Sequence, residues 1–474
     1  MSFQSLPFLV FLPAFLVCYF LTRGRLRLIV CLVGSYIFCG WADWRFAGLL
    51  FASTVADYLL ARYMMVQALP TGRRRILVAS IVINLGSLML FKYFDFFIQS
   101  FATVLLGSAR IDPALTLILP VGISFYAFQK IGYMVDLFRR TIQGERSFVR
   151  FALFVSFFPK LVAGPIVGSQ LLLPQLQDDR QPEWNNVVNG LELMLQGFFK
   201  KVVVANSLAV MVDHCFATPQ FQTSLTLIIG ALFYAFQIYC DFSGYSDIAI
   251  GLGLLLGFDL GINFNHPYFA ASFSEFWKRW HISLSQWLKD YLYIPLGGNR
   301  RGTARTIRNL FITMLACGLW HGANWTFLIW GGLHAVYLAM ERAGSLLLAH
   351  IKGPRTPFNS IFATGLRMTM VFTLVTVAWI FFRSSSVTSA LTFIQGIASL
   401  DNLAFSAVPL QFWVVKGLVL IGLLVCAEAL RDSLPGLCSI CGRSGLRVAT
   451  SAALLWCIAL LGVFGNSIFI YSQF

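Results

Sequence analysis

The sequence consists of long apolar runs separated by short clusters of basic residues. A helix needs about 20 mainly apolar residues to cross the hydrocarbon core of a bilayer. Runs close to that length lie at 8–21, 46–66, 76–97, 361–382, 412–430 and 448–470. The pattern predicts an all-α, polytopic membrane protein with about 11–13 membrane helices and additional re-entrant or interfacial segments.

Composition supports this class. Of the 474 residues, 58% are hydrophobic and 12% are charged, whereas a soluble domain carries about 25% charged residues. Mean hydropathy is +0.75. No linker rich in proline, serine or charge separates the apolar runs, so one integrated membrane domain over 1–474 is expected. The net charge of +15 does not indicate a nucleic-acid partner, because arginine and lysine fall in short clusters between the runs.

The basic clusters also predict an orientation. They alternate with poorly charged loops and lie at 23–27, 73–75 and 139–150. Since clustered arginine stays on the cytoplasmic side of a membrane, the N-terminus is expected outside the cytoplasm. Another span follows the first apolar run, with no cleavage site between them, so this run is interpreted as a retained helix and not as a signal peptide.

Two segments do not fit a simple span. In 151–167, Pro159 and Pro165 break a helix and free backbone groups that only protein or a water-filled cavity can satisfy. A re-entrant or broken segment is expected there. In 273–292, apolar and aromatic residues recur with helical period while charged residues are interspersed, so this segment is predicted to lie in the membrane interface.

The strongest chemical signal is a histidine within an apolar run. His321 lies in the run 309–329, which is predicted to be one membrane helix, and an imidazole there must be partnered, hydrated or functional. Gly318 and Gly322 flank it at a spacing that lets a neighbouring backbone approach closely. A second histidine, His281, lies upstream among tryptophans and hydroxyls.

These histidines point to acyl transfer. A neutral imidazole in a low-dielectric site can take a proton from a hydroxyl while that oxygen attacks an acyl carbon. The sequence has neither a Gly-x-Ser-x-Gly elbow nor a cysteine in a polar, cationic setting, so direct attack by the acceptor is expected rather than a covalent enzyme intermediate. The alternative is a histidine that only ties helices together.

Neighbouring polar residues are further candidates. Trp320 and Asn324 beside His321 are candidates for lining a cavity. His334 and His350 lie on the following helix, where an interfacial position or a hydrogen bond in the core is expected. No metal site or bound cofactor is expected, because the one Cys-x-x-Cys sequence, at 438–441, lacks a second pair or a nearby histidine.

Two groups of charged residues are also candidates. Asp241 and Asp247 lie in one apolar run, six positions apart and off register for one helix face. They either line a cavity or belong to a polar helix end with interhelical hydrogen bonds. The densest basic cluster is predicted to be cytoplasmic and to bind the phosphates of a coenzyme, unless it serves topology alone. Its members are Arg300, Arg301, Arg305 and Arg308.

Seven segments carry distinctive sequence in chain order. They are LPVGISFYAFQ at 119–129, FFPKLVAGPI at 157–166, YCDFSGYSD at 239–247, FWKRWHISLS at 276–285, DYLYIPLGGN at 290–299, LWHG at 319–322 and WIFFR at 379–383. They resemble segments of the membrane-bound O-acyltransferases. The resemblance is strongest to the branch of alginate O-acetyltransferases, which includes bacterial cellulose acetylation proteins.

The resemblance implies a site and a reaction. His321 takes the place of the family's catalytic histidine, and His281 that of its second characteristic active-site position. The family's helices form funnels from both membrane faces that meet at a thin centre. In this branch acetyl-coenzyme A in the cytoplasm is the donor, and periplasmic accessory proteins complete transfer to an exopolysaccharide such as alginate or cellulose. A bacterial inner membrane is the implied location.

Two alternatives remain. A related branch transfers D-alanyl groups to teichoic acid from a carrier protein rather than from a free coenzyme. A transporter of polysaccharide precursors would also use broken helices and buried polar groups. The sequence shows no matching halves of the kind that many transporters contain.

Overall fold

The computed structural model describes residues 1–106, 120, 122–177, 182–350, 361–400, 403–405, 410–433, 444–464 and 470. Within these ranges the regular elements are all helical, which confirms the predicted all-α class. Six of the described helices are long and apolar enough to cross a membrane. The larger number of membrane helices and the funnels stay predictions. The Cys-x-x-Cys sequence at 438–441 lies outside the described residues.

The chain groups into two compact units. The first comprises Met1–Met194 and Ile248–Ile262, and the second comprises Leu195–Asp247 and Asn263–Phe474. The single integrated domain stays a prediction. All the candidate site residues named above belong to the second unit.

The first unit contains the N-terminal helices. Helix α4 continues through a π-helical turn, Met89–Tyr93, into α5. The bounds are α1 Leu6–Leu21, α2 Gly24–Gly40, α3 Trp44–Val66, α4 Pro70–Leu88, α5 Phe94–Leu106, α6 Ile123–Arg139, α7 Phe148–Ser156, α8 Phe158–Leu161, α9 Ser169–Gln175 and α10 Trp184–Phe198, the end of which belongs to the second unit.

The predicted break in 151–167 is confirmed. The Ser147 side chain accepts a hydrogen bond from the Arg150 amide and starts α7. The chain then leaves the helix at Phe157, and Pro159 lies in the first turn of α8, where its missing N–H costs nothing. Residues 162–168 are not helical. Prolines therefore divide this segment as the sequence indicates, while its path relative to a membrane stays a prediction.

A buried polar cluster ties three helices of the first unit together. The Asp57 carboxylate on α3 accepts hydrogen bonds from Ser80 and Asn84 on α4 and pairs with Lys130 on α6, whose ammonium lies 3.1 Å away. All four side chains are buried. Removing one partner of a buried charge pair costs several kcal/mol, on the order of 3–5. These contacts therefore hold the three helices in a fixed packing.

The second unit contains the remaining helices. A π-helical stretch, Phe199–Ala205, joins α10 to α11. The bounds are α11 Asn206–Ala217, α12 Ser224–Leu255, α13 Phe273–Arg279, α14 Ile282–Leu288, α15 Thr303–His321, α16 Trp325–His350, α17 Ile361–Arg383, α18 Val387–Ser399, α19 Gln411–Ser433 and α20 Ser444–Leu461. The segment predicted to be interfacial folds as the two short helices α13 and α14.

The prediction of one helix over 309–329 is wrong. Helix α15 ends at His321, because Gly322 adopts an extended conformation with φ −172° and ψ 154°. Asn324 then caps the next helix, since its Oδ1 accepts from the Thr326 amide at 3.1 Å. A glycine followed by an asparagine cap is the physical reason for the break. His321 therefore lies at a helix end and not within a continuous span.

The close packing predicted around Gly318 is confirmed. A Cβ on Gly318 would lie 2.3 Å from the Phe327 carbonyl oxygen on α16, and a Cβ on Gly331 would lie 2.3 Å from the Met314 carbonyl oxygen on α15. Only glycine fits at either place, because the atoms that a side chain would meet belong to backbone. The backbones of α15 and α16 are thus in direct contact at this crossing.

The crossing generates a stability test. We expect Gly331→Ala to destabilise the protein by roughly 1–3 kcal/mol, the usual cost of overpacking. The measurement is thermal unfolding of the purified protein in detergent. Gly332→Ala is the matched control, because a Cβ at Gly332 would meet only the Leu315 side chain at 3.9 Å. Equal melting temperatures for the two variants would contradict the backbone contact.

Candidate active site

His321 is enclosed by aromatic rings. Its imidazole centroid lies 4.9 Å from that of Trp320, 4.9 Å from that of Trp330 on α16 and 5.1 Å from that of Phe382 on α17. The side chain is 3% exposed. Three elements therefore place an imidazole in a low-dielectric environment, where a polar interaction is stronger than in water.

His281 is placed by an unusual backbone conformation. It joins α13 to α14 with φ 42° and ψ 55°, in the left-handed region that a residue with a Cβ seldom adopts. The neighbouring Ile282 amide donates to the Asn263 carbonyl oxygen at 2.9 Å, which anchors this turn. Left-handed conformation of such residues is concentrated at functional sites, where the surrounding structure compensates its cost.

Asn263 determines which nitrogen of His281 carries the proton. The Asn263 Oδ1 accepts from the Ser283 backbone N–H at 3.3 Å and from the Ser283 hydroxyl at 2.9 Å, so this atom is the amide oxygen. His281 Nδ1 lies 3.1 Å from the same oxygen and must therefore donate a proton to it. In the neutral ring, Nε2 is then the basic nitrogen.

That basic nitrogen is buried and has no hydrogen-bond partner among the residues that the structure describes. His281 itself has no exposed surface. Burial lowers the pKa of the His281 imidazole to about 3, so the ring is neutral at physiological pH. A neutral imidazole with one locked N–H and one unused lone pair is suited to accept a hydrogen bond.

The two predicted histidines contact the same indole. The ring centroid of Trp320 lies 6.1 Å from that of His281 and 4.9 Å from that of His321. Trp320 was predicted to line a cavity, and here it joins the two candidate catalytic side chains. The structure thus brings His281 and His321 into one aromatic cluster, although they lie on different helical segments.

His334 belongs to this cluster too, which corrects the expectation of an interfacial position. The side chain is fully buried, with ring centroids 4.9 Å from Trp330 and 5.1 Å from Trp277. The expected core hydrogen bond is also missing, since neither ring nitrogen has a partner among the described residues. Trp330 contacts both His334 and His321, so these two histidines share a neighbour. The side chain of His350 lies outside the described part of the chain.

The candidate acids form ion pairs between helices. Asp241 is buried and pairs with Lys201, while its Oδ2 accepts from the Ile470 amide at 2.8 Å. Asp247 pairs with Lys200 at 2.8 Å. Two consecutive lysines reach α12 from the π-helical stretch. Asn324, a further cavity candidate, caps α16 and donates to the Ser385 carbonyl oxygen at 3.1 Å.

The basic cluster lies at the opposite end of α15 from His321. Arg300 and Arg301 precede the helix, and Arg305 and Arg308 lie in its first two turns. All four are exposed, and none forms an ion pair with a described residue. Arg308 donates to the neighbouring Asn309 side chain at 3.0 Å. The 19 residues of α15 span roughly 28 Å, close to the hydrocarbon thickness of a bilayer.

Sequence reasoning missed three contributors to this site: Asn263, Trp330 and Phe382. Asn263 lies 18 positions before His281, in a loop whose polar residues resemble ordinary turn residues. Trp330 and Phe382 lie in apolar helices, where an aromatic residue is normally packing. Phe382 belongs to the distinctive segment WIFFR at 379–383, but nothing in the local sequence of the three residues indicates their contacts with distant segments.

Comparison with known proteins identifies the family of this chain. Residues 138–385 match the model of the membrane-bound O-acyltransferase family. The chain is 44% identical to a probable alginate O-acetylase AlgI of Azotobacter vinelandii over 390 residues, which cover 81% of this chain and 76% of that protein.

Two other relatives carry different names. A peptidoglycan O-acetyltransferase of Helicobacter pylori is 36% identical over 83% of this chain and 79% of its own length. A teichoic acid D-alanyltransferase of Streptococcus thermophilus is 28% identical over 52% of this chain and 64% of its own length. The chain therefore belongs to the membrane-bound O-acyltransferase family and is a multi-pass membrane acyltransferase.

Proposed function

We propose that this enzyme transfers acetyl groups from a cytoplasmic donor, acetyl-coenzyme A, across the membrane for O-acetylation of an exopolysaccharide such as alginate or cellulose. The observation that carries the proposal is the pair of buried imidazoles, His281 and His321, in contact with the Trp320 indole. The relatives that are at least 36% identical are named for O-acetyl transfer, which supports acetyl as the group transferred.

The chemistry follows from a base in a dry environment. A hydroxyl is a poor nucleophile until its proton is taken. His321 takes that proton while the acceptor oxygen attacks the thioester carbonyl carbon. The carbon–sulfur bond of the tetrahedral intermediate then breaks, and the protonated His321 returns its proton to the sulfur, which leaves as a thiol. The aromatic rings around His321 exclude water, so the acetyl group goes to the acceptor rather than to water.

His281 has a distinct role in this proposal. Its Nε2 is the basic nitrogen of a locked tautomer, so it accepts a hydrogen bond or a proton from a group that enters the site. Asn263 and Ser283 hold the ring in that state. This arrangement suits His281 as a fixed hydrogen-bond acceptor for a group that enters the site.

The basic cluster is the proposed contact for the donor's phosphates. Arginine forms charge-assisted hydrogen bonds with phosphate oxygens, and the N-terminus of α15 adds a partial positive charge at the same place. Its first turn contains no acidic residue. The positive-inside rule places this end in the cytoplasm of a bacterial inner membrane, with the N-terminus of the chain outside.

The final acceptor lies outside the cytoplasm. Periplasmic accessory proteins are proposed to carry the acetyl group to the polysaccharide, as the family resemblance implies. D-alanyl transfer to teichoic acid is the less supported alternative, because the relative with that name matches only 52% of this chain. A non-enzymatic transporter would give no reason for a tautomer lock on His281.

The first prediction concerns His321. His321→Ala should lower acetylation by at least about 10²-fold, since general-base help is worth roughly 10²–10⁴ in rate. The measurement is polysaccharide acetylation in cells, with the amount of inserted enzyme determined in parallel. His214→Ala is the control, because that histidine is exposed on α11. Near-normal acetylation by the inserted His321→Ala protein would mean that His321 only holds helices together and is not catalytic.

The second prediction tests the tautomer lock. Asn263→Ala should lower kcat about tenfold while KM for the donor stays near the wild-type value, since the lost contact orients His281 and touches no donor atom. Hydrogen-bond partners that orient a functional histidine are worth about 10–100-fold. Steady-state kinetics of the purified enzyme measure both. Asn265→Ala, two positions away, is the matched control. A change in KM alone would mean that Asn263 helps to bind the donor.

The third prediction tests donor binding and orientation together. In inside-out vesicles, added acetyl-coenzyme A should be used, and Arg300→Gln/Arg301→Gln should raise its KM with little change in kcat, because phosphate contacts form in the ground state as well. Arg367→Gln, an exposed arginine on α17, is the control. If only right-side-out vesicles used the donor, the predicted orientation would be wrong. An unchanged KM for the donor would mean that the arginine cluster serves topology alone.

A further inference from the structure

A cavity in the first unit gathers three arginines. It encloses about 680 Å³ and is lined by the start of α2, the loop before α7 with the first turn of that helix, and the end of α9. Arg25, Arg146 and Arg150 all line it. Its volume falls in the range of roughly 300–1,000 Å³ that is typical of small-molecule sites. None of these residues takes part in the proposed acyl transfer.

The charge in this cavity is largely uncompensated. Arg150 pairs with Glu145 at 3.0 Å, so this carboxylate offsets one positive charge. Arg25 and Arg146 have no ion pair or side-chain hydrogen bond with any residue that the structure describes, and both are exposed to the cavity mouth. Arg150 also keeps one buried nitrogen, Nε, without a hydrogen-bond partner among the described residues. Two charges and spare donors thus face a space large enough for a ligand.

Backbone N–H groups add to the positive electrostatic potential in the cavity. Helices α2 and α7 both begin at the cavity, and neither has an acidic residue in its first turn. The first N–H groups of a helix have no partner within it and carry partial positive charge. Gly24, the first residue of α2, has no side chain to cover them, and nothing lies within 4 Å of where its Cβ would be.

The loop before α7, which carries Arg146, is held in place by contacts within the protein before any ligand binds. The Arg146 carbonyl oxygen accepts hydrogen bonds from the Tyr58 hydroxyl and from Arg62 Nη1, the second at 3.2 Å. These contacts fix the backbone of Arg146 and leave its guanidinium unused. A topology signal requires only that arginines lie on one side of the membrane. It does not require a fixed loop that converges with Arg25 on one cavity.

We propose that this cavity binds a phosphate group through Arg25, Arg146 and the N-terminal amides of α2. Phosphate matches the donors geometrically, since guanidinium groups bind it in a bidentate manner and helix N-termini bind it through backbone N–H groups. The phosphate belongs either to an anionic phospholipid headgroup or to a soluble nucleotide. The site is separate from the proposed acetyl transfer and does not depend on it.

Two binding measurements on the full-length purified protein distinguish the sources. In the first, adenosine 3′,5′-bisphosphate is titrated into protein in phosphatidylcholine nanodiscs. In the second, retained phosphatidylglycerol is counted by native mass spectrometry of the protein in detergent. We expect Arg25→Gln/Arg146→Gln to lower the affinity for one of the two ligands by about tenfold or more. The reason is that a hydrogen bond to a charged group is worth about a factor of ten or above in affinity.

The matched control is Arg74→Gln/Arg75→Gln. These arginines are exposed on α4 and lie outside the cavity. Their substitution removes the same total charge as the cavity variant does. A loss of nucleotide binding confined to the cavity variant identifies a soluble ligand, and a loss of lipid binding identifies a headgroup. The proposal is overturned if the wild-type protein binds neither probe, or if the control variant weakens binding as much as the cavity variant does.

Discussion

The candidate active site depends on the contact between the backbones of α15 and α16. Any side chain on Gly318 or Gly331 would collide with a carbonyl oxygen of the other helix, so the crossing point allows little sliding. His321 lies three positions after the first glycine, and Trp330 lies one position before the second. The crossing therefore fixes the contact between the imidazole and the indole, whose centroids lie 4.9 Å apart.

The buried polar groups fall into two classes, according to whether they have hydrogen-bond or ion-pair partners among the described residues. Asp57 and Asp241 each have a lysine partner and further hydrogen bonds, as buried charges require. His281 Nε2 and both nitrogens of His334 have no partner among the described residues. An unsatisfied group costs stability, so its retention needs another reason. The satisfied carboxylates are scaffold, whereas the unsatisfied imidazole nitrogens of His281 and His334 lie beside Trp320 and Trp330.

Much of the fold class and part of the site could be predicted from the sequence. Apolar run length gave the helical membrane class, and prolines gave the break in 151–167, because both signals are local. His321 stood out since an imidazole is rare in an apolar run. The end of α15 at Gly322 was missed, because the glycine pattern fits close packing within a continuous helix equally well. The partners of Asp241 and His281 could not be predicted, since both are contacts between distant segments.

The contact of two histidines with one indole limits how they can act. An indole has a single N–H, which donates and cannot accept, so Trp320 is no relay for protons between the imidazoles. In acyl transfer two atoms exchange a proton: the acceptor oxygen loses one and the departing sulfur gains one. His281 has a locked tautomer with a basic Nε2, whereas His321 is surrounded by the rings of Trp320, Trp330 and Phe382. Within the proposed acetyl transfer, these environments suit His321 as the base that carries the proton from the acceptor oxygen to the departing sulfur, while His281 accepts a hydrogen bond at Nε2.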